Sequence, residues 1–248
     1  MKLSASGATH PGRVRIRNED AFYVGPGLYV VCDGMGGGVR GDEAAEVACA
    51  TVADLWMESA TSTTTVERLR GIVEVANEAV YALAYGSNMG TTIVALAIEN
   101  GRGAVAWVGD SRLGRLRGGR FEWLTEDHSV QADLDRAARD RGEEPRKVRG
   151  VAHIVTRALG RASVKVDAAE VDVRVGDVFL LCSDGVWGEL EDPRIKDLDI
   201  SPLFGIASRA AHPVAPTTPE DVARSFVSLA LEFGGRDNAT AIVLRVEE

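Results

Sequence analysis

The sequence predicts an α+β protein in which helices cover stacked antiparallel sheets. Three observations carry this. The strand-like runs are short and apolar; two pairs of them are joined by two-residue turns; and the helical periodicities cluster before and after the strands instead of separating each pair. A helix between every two strands would instead have indicated a parallel, doubly wound sheet.

The elements follow in order. Residues 28–32 (Leu-Tyr-Val-Val-Cys) form a β-branched apolar run ending at Asp33-Gly34, and such a run is buried on both faces. Asp42 is placed to cap a first helix with Ala45, Ala48, Val52, Leu55 and Trp56 on one face. Thr64 and Glu67 make a capping box for a second, striped by Val66, Leu69, Val73, Ala76, Val80 and Leu83. Strands 92–98 and 104–108 meet at Asn100-Gly101, and strands 113–117 and 120–124 meet at Gly118-Gly119. Both dipeptides suit turns whose two central residues need positive φ.

Residues 126–151 turn polar and read as a surface flap around one short helix with a thin apolar face. Strands return at 166–173 and 178–182, and residues 190–218 read as an irregular excursion. Thr218 caps the last helix, Pro219 takes its first position, Val222, Phe226, Ala230 and Phe233 stripe it, and Gly234 ends it. Residues 239–246 form a closing strand. No repeat or low-complexity linker interrupts this order, so a single domain over 1–248 is expected.

Composition excludes several classes. The chain has 37 acidic and 28 basic residues, a formal charge of −9, which argues against nucleic acid or an anionic membrane as a partner. Its 45 % apolar content argues against disorder. Cys32, Cys49 and Cys182 cannot all pair, which suggests a reducing compartment. The N-terminus has no apolar leader core and no apolar run approaches the ~20 residues that span a bilayer, so a soluble, cytoplasmic protein is expected.

The acids carry the chemistry. Asp33-Gly34 and Asp184-Gly185 each end an apolar strand, Asp110 ends a third, Asp237-Asn238 precede a fourth, and Asn18-Glu19-Asp20 precede a short strand. Any one is an ordinary turn sequence. Acids gathered at the ends of five strands would repel unless cations lay between them. Hard divalent cations take oxygen ligands, and neither the four histidines (His10, His128, His153, His212) nor the cysteines show metal-ligand spacing. This points to Mg²⁺ or Mn²⁺ over zinc. Two such ions ~3.5–4 Å apart clamp an in-line displacement at phosphorus. Gly34 lets a backbone carbonyl approach a metal, and Gly36-Gly37-Gly38 keeps the loop slim. Arg13, Arg15 and Arg17 alternate, so an extended segment would place all three on one face to hold a phosphate. The competing reading is a solvated strand edge.

As a set, these motifs resemble the metal-dependent Ser/Thr protein phosphatases of the PPM, or PP2C-like, family, of the bacterial single-domain type. The matching segments are Arg15-Ile-Arg-Asn-Glu-Asp20, Asp33-Gly-Met-Gly-Gly37, Gly90-Thr-Thr92, Val108-Gly-Asp-Ser-Arg112, Thr125-Glu-Asp-His-Ser129, Thr156-Arg-Ala-Leu-Gly160, Cys182-Ser-Asp-Gly185 and Gly234-Gly-Arg-Asp-Asn238, in the family's order. The resemblance implies a four-layer α-β-β-α sandwich with a metal centre at one end of the stacked sheets. By position, Asp33 resembles the ligand bridging two Mn²⁺ or Mg²⁺ ions and Gly34 a carbonyl ligand. Asp184 and Asp237 resemble ligands of the first ion, Glu19 a ligand of the second and Asp20 its water-mediated neighbour. Asp110 with Asp184 resembles a third, weaker site. Arg15 alone of the three arginines matches the phosphate-binding position, and residues 128–150 correspond to the flap.

The implied activity is hydrolysis of phosphoserine and phosphothreonine on proteins, by direct attack of a metal-bridging hydroxide, opposing bacterial Ser/Thr kinases. The expected partners are phosphorylated proteins, and a monomer is expected. Met35 stands where many eukaryotic members have a histidine proposed as general acid, and Met is usual in bacterial members. Segments 142–150 and 190–218 follow the family pattern poorly. The alternatives are a catalytically silent relative that binds phosphoproteins, and an oxygen-ligated phosphodiesterase, which needs a basic nucleic-acid track. Cys32 and Cys182 precede key acids and read either as redox control or, preferably, as small apolar strand residues. His128 reads either as an orienter of an acid or, preferably, as a structural residue, and Trp107 and Trp123 as core.

Overall fold

The apolar runs resolve into two antiparallel sheets. One has the order β1 (Lys2–His10), β11 (Ala239–Glu247), β10 (Val178–Cys182), β7 (Arg112–Arg117), β8 (Arg120–Trp123). The other has the order β2 (Asp20–Gly25), β3 (Leu28–Met35), β5 (Ile93–Glu99), β6 (Arg102–Val108), β9 (Asp167–Val171), and the two-residue β4 (Gly90–Thr91) pairs with β3. These come from a computed structural model that describes residues 1–36, 40–58, 64–148, 150–151, 154–191 and 218–248.

Alternation along each strand explains why the runs are apolar throughout. On β3, Leu28, Val30 and Cys32 face the helices α1 (Gly41–Glu58) and α2 (Thr65–Ala84), while Tyr29 and Val31 face the opposite sheet. On β11, Ala239, Ala241 and Val243 pack under α5 (Pro219–Phe233) and the short α4 (Asp184–Leu190), while Ile242, Leu244 and Val246 meet the first group between the sheets. Three apolar layers therefore separate four layers of structure, the expected α-β-β-α sandwich. Fully buried residues such as Phe179 and Leu96 each contribute about 1.5–3 kcal/mol by leaving water.

The local signals hold at most boundaries. Thr64 Oγ1 accepts from the Glu67 amide and Glu67 returns a carboxylate to the Thr64 amide. Thr218 and Asp221 form the same box before α5, with Pro219 in the first turn and Gly234 at the end. Asn100 and Gly101 (φ 52° and 78°), and Gly118 and Gly119 (57° and 82°), make the expected positive-φ hairpin turns.

Some boundaries differ. The first helix begins at Gly41, so Asp42 lies inside its first turn, where its charge suits the dipole, instead of capping it. Strand β5 begins at Ile93, because Gly90–Thr91 is diverted to pair with β3. Strand β9 stops at Val171. Strand β1 and helix α4 went unpredicted. The first is mostly small and polar and takes its register from β11 along all nine residues; the second has seven residues, too few to show a helical period. Trp107 and Trp123 are partly buried, each at the margin of a core layer. Most of 190–218, Gly37, Gly38, His153 and His212 lie outside the described residues. Among the described residues, no helix is long and apolar enough to cross a membrane.

Candidate active site

Strand pairing brings the acids together. Asp20 opens β2 and Asp33 lies near the end of β3, and the register sets them directly opposite each other. Two like charges in that arrangement repel. Asp110 leaves β6, Asp184 opens α4 straight after β10, and Asp237 precedes β11, all at the same end of the stacked sheets. Asp33 experiences the charges of Asp20, Asp184, Asp110 and Asp237, so acids from five separate chain segments share one field.

Two close backbone approaches allow this. A Cβ on Gly34 would stand 2.1 Å from the Gly41 carbonyl oxygen and 2.6 Å from that of Glu19, so glycine lets α1 and the Glu19 turn close on the end of β3. A Cβ on Gly185 would stand 2.0 Å from the Asn238 carbonyl oxygen, so glycine lets α4 seat Asp184 against the segment bearing Asp237.

The electrostatics follow from crowding. Burial, then the neighbouring acids, hold Asp33 well above the usual carboxylate range. Burial pushes Asp20 up to about 7, opposed by hydrogen bonds from Thr240 and Ser183 and aided by Asp184 and Asp237. Burial, then Asp184 and Asp127, push Asp110 up to about 8. Oδ1 of Asp20 and Oδ2 of Asp110 are buried without a hydrogen-bond partner among the described residues. A buried carboxylate oxygen with no donor, in a group whose members cannot all be charged together, fits a hard cation. The nearby thiols do not compete as ligands. Burial pushes Cys32 and Cys182 upward and leaves little thiolate, in keeping with packing residues and not with a reactive pair.

As they stand, no three His, Cys, Asp or Glu side chains among the described residues close round one point. Two of the acids are engaged by other side chains. Arg15 Nη2 donates to Asp237 Oδ2 at 2.6 Å, and Ser183 Oγ donates to Asp20 Oδ2 at 2.8 Å. The expected face of three arginines is corrected: residues 11–19 form turns, not an extended strand, so alternation does not align Arg13, Arg15 and Arg17. Only Arg15 reaches the acids, with Glu19 and Asp184 also favouring its charge.

A family model described as protein phosphatase 2C matches residues 7–218. The chain belongs to the protein phosphatase 2C family. It is 31 % identical over 259 residues to the serine/threonine phosphatase stp of Listeria monocytogenes, covering 98 % of this chain and 95 % of that one. Among solved structures it resembles PppA, described as a key regulatory component of T6SS in Pseudomonas aeruginosa, with 34 % identity, a TM-score of 0.78 and coverage of 99 % and 98 %. It also resembles the catalytic domain of the serine threonine protein phosphatase PstP in complex with two manganese ions, with 30 % identity, a TM-score of 0.80 and 99 % of each chain covered. The chain is accordingly an enzyme of the protein-serine/threonine phosphatase class.

Within this 2C phosphatase, several residues support the acids without having stood out as site residues. Asn238, 4 % exposed, accepts from the Glu19 amide and donates to the Pro11 and Arg17 carbonyls, so one side chain shapes the loop that carries Arg15. Ser183 joins Asp20 to the Thr240 amide. Thr92 Oγ1 accepts from the Asp33 amide and meets Ser111 Oγ at 2.7 Å. The available signal was a polar residue beside an acid, at Ser111, Ser183 and Asn238; Thr92 had none. His128 is structural: the Gly109 amide donates to Nδ1 (3.1 Å) and Nε2 faces Asp167 Oδ2 (3.1 Å), tying the segment before helix α3 (Val130–Asp140) to β6 and β9. The helix α3 buries Ala138 alone, as its thin apolar face predicted.

Proposed function

We propose that this phosphatase is a Mn²⁺- or Mg²⁺-dependent enzyme that hydrolyses phosphoserine and phosphothreonine on proteins, opposing Ser/Thr kinases. It acts as a cytoplasmic, monomeric, single-domain protein. The observation that carries the reading is the convergence of Asp20, Asp33, Asp110, Asp184 and Asp237 in one field at the end of the sandwich, with Arg15 as the cation at its edge.

In this reading Asp33, the Gly34 carbonyl, Asp184 and Asp237 would hold the first ion, and Asp33 would contribute to the second as well. Glu19, with Asp20 behind it, serves the second, and Asp110 with Asp184 serves a weaker third. Such ions, when bound, supply charge neutralisation and an activated water for in-line displacement at phosphorus. The chain's own groups position the substrate. Arg15 is 52 % exposed at the side chain, so its guanidinium can turn from Asp237 toward a phosphoryl group, where a planar fork holds two oxygens. The Asn238 hydrogen bonds fix the loop from which Arg15 reaches.

The test is hydrolysis of a phosphothreonine peptide. Turnover is expected with Mn²⁺, lost on chelation and restored by added Mn²⁺. Turnover that persists under chelation, or an Asp33→Asn variant with the wild-type rate, would overturn the reading.

A further inference from the structure

Arg112 is 12 % exposed at its side chain, and its described hydrogen bonds go to Asp127 and Glu191 and not to the acids of the candidate centre. Its Nε and Nη2 donate to the two carboxylate oxygens of Asp127, both at 2.8 Å, and Nη1 donates to Glu191 Oε1 at 2.7 Å. Its guanidinium carbon lies 3.5 Å above the centre of the Trp187 ring. Apolar packing at such a site is ordinarily no less stable than a buried ion pair, so stability alone does not account for the arrangement.

Trp187 shows where the contact leads. It is 4 % exposed and donates its indole N–H to the backbone carbonyl of Asp110 at 2.8 Å. It also stands three residues after Asp184 in α4, one turn along the same helix. One rigid side chain thus starts on the helix that carries one acid and ends on the main chain that carries the other. The Arg112 guanidinium lies over its ring, and the Asp127 and Glu191 carboxylates hold that guanidinium in place.

We propose that Trp187, clamped by Arg112, is a positioning residue that sets the separation of Asp110 and Asp184 and thereby the affinity of the weakest metal site. The proposal rests on the reading of Asp110 and Asp184 as holders of that ion. Asp184 also serves the first ion, but Asp110 serves the weak site alone, and it is the Asp110 main chain that takes the Trp187 N–H, so the weak site is the one expected to respond most.

The experiment is a Mn²⁺ titration of the whole chain by calorimetry, with free Mn²⁺ followed by electron paramagnetic resonance. Trp187→Phe keeps an aromatic ring beneath Arg112 and removes the N–H donor together with the fused second ring. It is expected to weaken the weakest site about tenfold, the usual scale for a group that orients a ligand, and to leave the tighter sites within twofold. Arg112→Lys keeps the charge but loses the planar fork. It should act in the same direction and combine less than additively with Trp187→Phe. Asp110→Asn is expected to abolish the weakest site. If Asp110→Asn does so while Trp187→Phe leaves that site within twofold, the positioning role is wrong and the ligand assignment stands. If Trp187→Phe weakens all sites together, its role is merely structural and the proposal falls. If Asp110→Asn leaves the weakest site intact, the ligand assignment fails and takes the proposal with it.

Discussion

Arg15 donates to Asp237 at 2.6 Å although 222 positions separate them in the chain. The contact joins the cation proposed to hold the phosphoryl group to an acid proposed to hold an ion. Each therefore serves as the other's counter-charge until substrate and metal arrive. Arg15→Ala is expected to lower kcat/KM by about 10–100-fold, since a bidentate charged contact is worth roughly 1.5–3 kcal/mol. Arg15→Lys should fall between the two, and Arg13→Ala and Arg17→Ala should stay within about threefold, because no described contact brings either side chain to the acids. Steady-state kinetics on one phosphothreonine peptide check the series.

Asp33→Asn is expected to abolish turnover while raising the melting temperature of the chelated protein. The folded state holds Asp33 far above its ordinary carboxylate range, so a neutral isostere relieves a charge the fold opposes. Thermal unfolding in excess chelator, beside a turnover assay in Mn²⁺, separates the two effects.

Stability of the chelated protein is expected to fall as pH rises from about 4 to about 8. Asp20 and Asp110, raised to about 7 and about 8, keep protons in the folded chain that the unfolded chain has released. The folded state thus binds more protons across that window, and stability declines with pH through it. Added Mn²⁺ should restore most at the alkaline end, by mass action on the folded state. Urea midpoints at pH 5 and pH 8, with and without Mn²⁺, check the sign.

His128 predicts a separate, acid-side loss. Burial, together with the Arg157 charge, lowers its pKa against the opposing pull of Asp167. The Gly109 amide pointing at Nδ1 leaves no room for a second ring proton. The unfolded chain takes up that proton near pH 6.5 and the folded chain resists it, so this contribution is present above pH ~6.5 and lost below. In the Mn²⁺-loaded protein, His128→Gln should flatten the stability profile between about pH 5 and 7.

Gly34→Ala is expected to cost about 2–4 kcal/mol or prevent folding, because its Cβ would meet two backbone carbonyls, neither of which can rotate away. Chemical denaturation of the purified variant, or its recovery only in insoluble form, checks this.

What the sequence determined by itself was local. The capping boxes at Thr64 and Thr218 and the positive-φ turns at 100–101 and 118–119 depend on neighbours within a few positions, and all were legible. The acids were legible too, because Glu19, Asp33, Asp110, Asp184 and Asp237 each sit beside a glycine or asparagine next to an apolar run, with Asp20 adjoining Glu19. The tertiary structure alone decided how they meet. The register that opposes Asp20 to Asp33, the arginine that reaches Asp237, and the indole that spans from α4 to Asp110 join residues 13, 222 and 77 positions apart. Such contacts have no period or spacing in the chain. They arise because burying three apolar layers fixes the strand order, and the strand order then selects which loop ends share one electric field.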